Sequence, residues 1–276
     1  MKQTDKKRSQ SHEIAIDKEL TLHVEVVGEG PALLCYSGFA CSRYNFLPMA
    51  SYLQNHFTLY LLDNRGFGRS GHVKQEYDFD QMADDGIKVM EHFGQTSYHV
   101  AGISMGGFIA QRHALLKPES IKSLHLLATK SSGPDYPVTG AVTEASFTQF
   151  YNMDPEIGNR FAIEAFVHPQ FKGSSECERV IELRAKENPV DLNQALIQLR
   201  SSWKFLETPQ PLEKINSPTL IIHGENDPFL IPDNARIMQR NIHHSQLEII
   251  ENCSHLFFFE RPQLTAMKMA SFVEAL

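Results

Sequence analysis

The sequence predicts an α/β protein in which helices cover both faces of a mostly parallel central sheet. Short, almost wholly apolar runs such as Ala32–Tyr36 and Tyr98–Ile103 have the composition of strands that are buried on both faces. Between such runs lie stretches with the spacing of helices, for example residues 79–93 and 105–117. Strand and helix therefore alternate along the chain, which is typical of a parallel sheet.

The predicted elements follow in chain order. Residues 12–27 alternate apolar and polar side chains around Asp17-Lys18-Glu19, which predicts an N-terminal β-hairpin. The other predicted strands cover residues 32–36, 57–62, 98–103, 121–128, 219–223 and 246–250. The predicted helices of the sheet region cover residues 44–55, 79–93, 105–117, 232–240 and 262–275.

Residues 131–213 interrupt this alternation. Amphipathic stretches at residues 157–167 and 192–205 predict helices there. We therefore divide the chain into a flexible tail (1–11), an α/β core (12–130 and 214–276) and a helical lid (131–213). The lid is expected to lie above the carboxyl edge of the sheet, where open α/β sheets bind ligands.

Composition limits the classes of partner. The 276 residues carry a net charge of −7, without a basic stripe, so no nucleic-acid partner is expected. No apolar run reaches the roughly 18 residues of a membrane span, and no signal-peptide core follows the N-terminal charges, which predicts a cytoplasmic protein. The four cysteines form no CxxC pair, so we expect free thiols and no metal site.

The candidate nucleophile lies in Gly102-Ile103-Ser104-Met105-Gly106. This segment directly follows a predicted strand and directly precedes a predicted helix, which is the context of a nucleophile elbow. Small residues on either side of the serine let the strand and the helix approach each other. The sequence therefore predicts that Ser104 is exposed at the carboxyl edge of the sheet.

With this elbow, four further segments resemble the α/β-hydrolase superfamily over nearly the whole chain. They are residues 36–40 (YSGFA), 63–70 (DNRGFGRS), 223–232 (HGENDPFLIP) and 251–255 (ENCSH). The first resembles the oxyanion-hole loop, although Ser37 stands where histidine is usual. The resemblance implies that the backbone N–H groups of Phe39 and Met105 bind the oxyanion. The second is similar to a structural turn in which Asp63 and Arg65 make buried contacts.

The last two segments are similar to the acid loop and the histidine loop of the family. The resemblance implies Asp227 as the acid, with Glu225 as the rival carboxylate, and Pro232 at the start of the next helix favours Asp227. It implies His255 as the general base, whereas His243 and His244 precede the last strand and are expected at the surface.

The resulting chain order of serine, aspartate and histidine is that of α/β-hydrolases. It predicts a serine hydrolase that cleaves a small carboxylic ester or lactone through an acyl-enzyme, with no cofactor and no metal. Aspartate-nucleophile dehalogenases and epoxide hydrolases are disfavoured by Ser104. Hydrolases of meta-cleavage products share the serine triad, but many carry tryptophan where Leu256 stands here. A ligand receptor with slow turnover and an acyltransferase remain alternatives.

Large apolar side chains of the lid and of the two catalytic loops are candidate substrate contacts, although aromatic residues at helical spacing more often pack a lid onto its core. The candidates are Phe147, Tyr151, Phe166, Trp203, Phe229 and Leu256.

Overall fold

The computed structural model describes residues 9–137 and 142–276, and one sheet organises them. Within these ranges the strands are β1 (Gln10–Ala15), β2 (Thr21–Gly28), β3 (Ala32–Tyr36), β4 (Thr58–Leu62), β5 (Tyr98–Ile103), β6 (Ile121–Leu127), β7 (Thr219–Gly224) and β8 (Ser245–Ile250). Every residue of β3, β5 and β7 is buried, as expected for strands with helices on both sides.

The strand order places the ends of β3 and β5 side by side. The order is β1-β2-β4-β3-β5-β6-β7-β8. The two pairings of β2 are antiparallel, and all pairings from β4 to β8 are parallel. The chain passes from β3 to β4 on one side and then to β5 on the other side. Such a reversal opens a crevice at the carboxyl ends of the strands.

Helices cover both faces of this sheet. The helices that flank the sheet are α1 (Leu47–Leu53), α2 (Phe79–His92), α3 (Met105–Leu116), α8 (Asp233–Asn241), α9 (Phe257–Glu260) and α10 (Pro262–Glu274). Leu34 and Tyr36 of β3 pack with α2, α3 and α8, whereas Leu33 and Cys35 pack with α1, α9 and α10. This alternation gives the sheet two buried faces, and the predicted fold class is confirmed.

In the described part of the connection between β6 and β7 the chain forms four α-helices. They are α4 (Glu144–Tyr151), α5 (Pro155–Glu164), α6 (Ser175–Glu187) and α7 (Leu192–Glu207), and we call them, with the residues that join them, the helical segment. Each begins at a side-chain cap, as at Asp154 and Ser174. Residues 138–141 of the predicted lid lie outside the described residues. No helix in the described chain is long and apolar enough to cross a membrane.

The N-terminal boundary was predicted two residues too late. Strand β1 begins at Gln10, within the residues assigned to a flexible tail, and Gln10 pairs with Val26 of β2. The pairing uses backbone groups, so polar side chains at Gln10 and Ser11 do not prevent it. Residues 1–8 of the predicted tail lie outside the described residues.

In the turn at residues 63–70, Asp63 and Arg65 make the predicted buried contacts, each with different partners. The Asp63 carboxylate accepts hydrogen bonds from the backbone N–H of Arg43 (2.6 Å) and from His23 Nδ1 (3.0 Å). Arg65 forms a bidentate ion pair with Asp85 of α2, in which both N···O distances are 2.7 Å. The turn is therefore anchored to two separate elements.

Three buried histidines lie in the core away from the crevice. His113 contacts the hydroxyls of Tyr36 (2.7 Å) and Tyr98 (2.9 Å). His99 and His125 share the Ser123 hydroxyl, at 2.7 and 2.9 Å. Burial lowers the pKa of His99 to about 4 and the pKa values of His113 and His125 to about 3. All three are therefore neutral in the folded protein near pH 7.

Acidification should consequently destabilise the fold. Below the ordinary histidine pKa of 6.5 the unfolded chain takes up protons that the folded chain refuses, so stability present above pH 6.5 is lost as the pH falls towards 4. Between pH 7.5 and 5.5 we expect a loss of roughly 1 kcal/mol in the free energy of unfolding for each histidine, ~3 kcal/mol together. Urea denaturation at the two pH values measures it. In His113→Gln the loss of unfolding free energy between the two pH values should be ~1 kcal/mol smaller. A loss equal to that of the wild type would contradict the conclusion that His113 is neutral in the folded protein.

Candidate active site

Ser104 occupies a sharp turn between β5 and α3. Its φ of 54° and ψ of −119° are unusual for a residue other than glycine. Its N–H donates to the carbonyl of Leu127 at 2.8 Å, and its carbonyl accepts from Thr129 Oγ1 at 2.7 Å. The strained turn is therefore held at both backbone groups by the end of β6 and the residues that follow it.

Two glycines allow this turn. A Cβ added to Gly102 would lie 2.2 Å from the carbonyl oxygen of Gly106, and one added to Gly106 would lie 2.1 Å from that of Tyr36. Real Cβ atoms do not approach backbone oxygens so closely, so any side chain at either position forces the strand, helix or β3 loop apart. The close approach predicted from the sequence is present.

The structure brings together the three residues that the sequence singled out. His255 lies on the loop after β8, and its Nε2 is 3.1 Å from Ser104 Oγ. Its Nδ1 is 2.7 Å from Asp227 Oδ2, on the loop after β7. His255 and Asp227 are 6% and 2% exposed. A hydroxyl, an imidazole and a carboxylate are thus aligned at the crevice.

The Asp227 carboxylate is fully bonded. Its Oδ1 accepts the backbone N–H groups of Phe229 (2.8 Å) and Leu230 (2.9 Å), and its Oδ2 lies 3.1 Å from His223 Nε2. Burial by itself raises the pKa of Asp227, but His255 and His223 outweigh it and hold the pKa well below its usual value. Asp227 is therefore charged when it faces His255.

The rival residues lie elsewhere. Glu225 is exposed, and its carboxylate accepts the backbone N–H of Asn252 at 3.2 Å. His243 and His244 are exposed in the connection that precedes β8. Within the described residues no hydrogen bond or ion pair joins any of them to Ser104, and this agrees with the choice of Asp227 and His255.

Two backbone donors lie beside Ser104. Met105 is the first residue of α3, and Phe39 follows Gly38, whose added Cβ would lie 3.5 Å from Ser104 Cβ. Within the described ranges neither the Phe39 nor the Met105 N–H donates to a protein acceptor. Helix N-termini and unpaired N–H groups attract anionic oxygen, so both donors are available to a ligand.

Aromatic side chains surround His255. The ring centroids of Phe166 and Phe229 lie 6.0 and 5.4 Å from the imidazole, and 5.4 Å from each other. The Leu256 N–H donates to the Phe166 carbonyl at 3.1 Å, and Leu256 is 8% exposed. Three of the predicted substrate contacts therefore adjoin the histidine and limit its access to water.

The other three predicted substrate contacts, Phe147, Trp203 and Tyr151, lie in two different environments. Phe147 packs edge-on against Phe39 at 5.3 Å, and Trp203 packs against the same apolar cluster, which includes Ala40. The structure does not bring Tyr151 to the site, because this last residue of α4 is 38% exposed and its hydroxyl donates to the Val190 carbonyl at 2.6 Å.

Two supporting residues escaped the sequence analysis. His223 is the last residue but one of β7 and lies four positions before Asp227, a spacing that could have suggested a contact. Glu260 is buried, and its carboxylate accepts the N–H groups of Ser254 (3.0 Å) and His168 (3.2 Å). Burial raises the pKa of Glu260. It ties the histidine loop to the helical segment, a long-range contact that no local pattern signals.

Comparison with known proteins identifies the family. A family model described as alpha/beta hydrolase fold matches residues 31–262, which is most of the chain. The chain belongs to the α/β-hydrolase fold family. The predicted family is therefore confirmed.

Individual relatives carry names of hydrolytic enzymes. Monoacylglycerol lipase ABHD6 of Bos taurus is 26% identical over 269 residues, which cover 89% of this chain and 76% of the relative. Pimeloyl-[acyl-carrier protein] methyl ester esterase of Nitrosomonas europaea is 26% identical over 250 residues, which cover 88% and 96%. The prediction that this α/β-hydrolase is an enzyme is confirmed at this level.

A solved structure has the same fold. The enol-lactonase from Burkholderia xenovorans LB400 superposes with a TM-score of 0.81, covering 94% of this chain and 99% of that chain. The identity is 18%, so this likeness concerns the fold alone.

Proposed function

We propose that this α/β-hydrolase is a serine hydrolase that cleaves a small carboxylic ester or lactone through an acyl-enzyme. The observation that carries the proposal is the continuous contact from Ser104 Oγ to His255 Nε2 (3.1 Å) and from His255 Nδ1 to Asp227 Oδ2 (2.7 Å). A serine hydroxyl is a weak nucleophile until an adjacent base takes its proton. The geometry supplies both the base and the carboxylate that orients it.

The reaction proceeds in two halves. His255 Nε2 takes the Ser104 proton as Oγ attacks the carbonyl carbon, and Asp227 stabilises the imidazolium. The N–H groups of Phe39 and Met105 bind the oxyanion. Collapse breaks the bond to the leaving alkoxide, which receives the proton from His255. Water then attacks the acyl-enzyme by the same route, which releases the acid and restores the serine.

An ester or lactone suits the surroundings of the site. The walls contributed by Phe166, Phe229 and Leu256 are apolar, and Phe147 adds to them beside Phe39. Such walls favour an uncharged acyl chain over a polar one. Two relatives are named as a lipase and a methyl ester esterase, and a structural neighbour is named as an enol-lactonase. These names support the same substrate class.

We propose further that residues 131–213 act as a lid over this site. The helical segment reaches the loop after β3 through Phe147 and the loop after β8 through Phe166. Both loops follow strands at the carboxyl edge of the sheet. Closure of such a segment excludes water from the acyl-enzyme and gives the acyl chain its apolar wall.

Hydrolysis of p-nitrophenyl acetate, butyrate and octanoate, together with labelling by a fluorophosphonate, tests the proposal. We expect stoichiometric labelling and a kcat/KM about tenfold higher for butyrate than for acetate, because each added methylene buried against the apolar walls contributes about 0.8 kcal/mol. A γ-lactone assayed in parallel separates lactone from ester preference. Labelling without turnover of either class would favour carbon-carbon bond hydrolysis or a receptor. The absence of both labelling and turnover would refute the proposal.

A further inference from the structure

The loop that follows β3 carries a strained residue next to Phe39. Ala40 has a φ of 51°, in the left-handed region that residues with a Cβ seldom adopt. Ala40 is 6% exposed, so water cannot compensate its backbone groups. A buried, strained backbone of this kind persists only when surrounding groups hold it.

The groups that hold it belong to the helical segment. The Ala40 N–H donates to Gln198 Oε1 of α7 at 2.7 Å, and the Ala40 carbonyl accepts from Asn188 Nδ2 at 3.0 Å. Asn188 Oδ1 in turn accepts the N–H of Ser42 at 2.6 Å. Gln198 and Asn188 are 0% and 6% exposed. Both backbone groups of Ala40 are thus bound by buried side chains about 150 residues away in sequence.

The side chain at position 37 contributes no hydrogen bond to the loop in the described residues. Ser37 is buried, and its Oγ finds no hydrogen-bond partner in residues 9–137 and 142–276. On the near side of Phe39 the Gly38 N–H donates to Asn45 Oδ1 at 2.9 Å. The Ser37 carbonyl accepts from Asn64 Nδ2 at 3.1 Å. Phe39 therefore lies between two hydrogen-bonded contacts with the core and two residues of the helical segment, Gln198 and Asn188.

We infer that Gln198 and Asn188 are positioning residues that hold the Phe39 N–H in place for the oxyanion, so that catalysis depends on the seated helical segment. The inference rests on the proposed serine-hydrolase function. If the two side chains withdraw, Ala40 can leave its positive φ, and the Phe39–Ala40 peptide reorients with it. Phe39 then shifts, together with the N–H that it carries in the adjoining Gly38–Phe39 peptide. The segment thus supports one half of the oxyanion hole as well as covering the site.

Such a role predicts a loss in kcat rather than in KM. The oxyanion exists only in the transition state and the tetrahedral intermediate, so a displaced donor leaves ground-state binding intact. Removal of one oxyanion donor costs about 10²–10³-fold in kcat. Because the donor here is displaced rather than deleted, we expect Gln198→Met to lower kcat about 10–100-fold, with KM within about threefold.

Gln194 offers a matched control. It is also a buried glutamine of α7, one turn earlier, and it also joins the helical segment to a core loop, through the N–H and carbonyl of Val73 at 2.9 Å each. Gln194→Met therefore removes two bonds to a core loop, one more than Gln198→Met removes, without touching the β3 loop. Gln198→Glu keeps an oxygen acceptor for the Ala40 N–H and should restore most of the lost kcat.

The experiment measures kcat and KM for p-nitrophenyl butyrate, with thermal unfolding of each variant. Gln194→Met with near-normal kcat, beside a slow Gln198→Met rescued by Gln198→Glu, supports the inference. If Gln198→Met does not fold, Asn188→Ala serves as the second variant, and the inference requires that its kcat is also lowered. If the wild type is active, equal losses of kcat in Gln194→Met and Gln198→Met, or no loss of kcat in Gln198→Met, overturn this inference and leave the proposed function standing. A wild type without turnover or labelling overturns the proposed function and this inference with it.

Discussion

Ester turnover by Ser104→Ala is expected to fall by about 10⁵–10⁶-fold, which is the loss seen when a triad serine is removed. Alanine deletes the oxygen that lies 3.1 Å from His255 Nε2 and leaves the rest of the turn unchanged. It also removes the oxygen that we propose carries the acyl group, so fluorophosphonate labelling should vanish. The free energy of unfolding should stay level or rise slightly, because the backbone strain at φ 54° is unrelated to the hydroxyl.

The chain contains a second serine in contact with histidine, which provides a control. Ser123 Oγ lies 2.7 Å from His99 Nδ1 and 2.9 Å from His125 Nε2, but Ser123 is fully buried. A hydroxyl that no substrate can reach cannot be a nucleophile. Ser123→Ala should therefore keep turnover and labelling within about twofold of the wild type, since an inaccessible group contributes no transition-state contact. Labelling that survives in Ser104→Ala and disappears in Ser123→Ala would contradict the assignment of the nucleophile.

Local sequence patterns were sufficient for the sheet, whereas the two loops that bear Asp227 and His255 were assigned through the resemblance to the α/β-hydrolase superfamily. Apolar runs located six of the strands, β3 to β8, within two residues, because a strand buried on both faces needs apolar side chains at most positions. The elbow was predictable because Gly102, Ser104 and Gly106 form one short motif, although Gly106 itself is required by the close approach of Tyr36 in β3. The edge strand β1 was less so, because the pairing at Gln10 depends on the backbone and leaves no trace in side-chain polarity.

The supports of the site were not predictable from the same patterns. Gln198 and Ala40 meet across 158 positions, and an amide on an amphipathic helix has the same local signature whether it faces solvent or a distant loop. Tyr151 illustrates the converse: its aromatic character suggested a pocket, yet its hydroxyl is satisfied at the surface by the Val190 carbonyl. Tertiary packing decides which face of the helical segment meets the core. The periodicity of a single sequence does not contain this information.

Asp227→Asn should leave the fold intact and lower kcat by about 10⁴-fold, as in triads whose acid is made neutral. The amide oxygen can still accept the N–H groups of Phe229 and Leu230, which now bond to Oδ1 at 2.8 and 2.9 Å. The amide NH₂ then faces His255, so the ring must accept at Nδ1 and carry its proton on Nε2. In that tautomer Nε2 cannot take the proton of Ser104.

Glu225→Gln is the matched control for this substitution, because it neutralises the neighbouring rival carboxylate. Glu225 is exposed and bonds to the Asn252 N–H, so its loss should change kcat by less than about twofold, as expected for a surface group outside the site. The two variants, assayed with p-nitrophenyl butyrate and checked by thermal unfolding, separate the roles of the two carboxylates. A large loss in Glu225→Gln with retained activity in Asp227→Asn would mean that the acid loop rearranges in solution and that Glu225 orients His255.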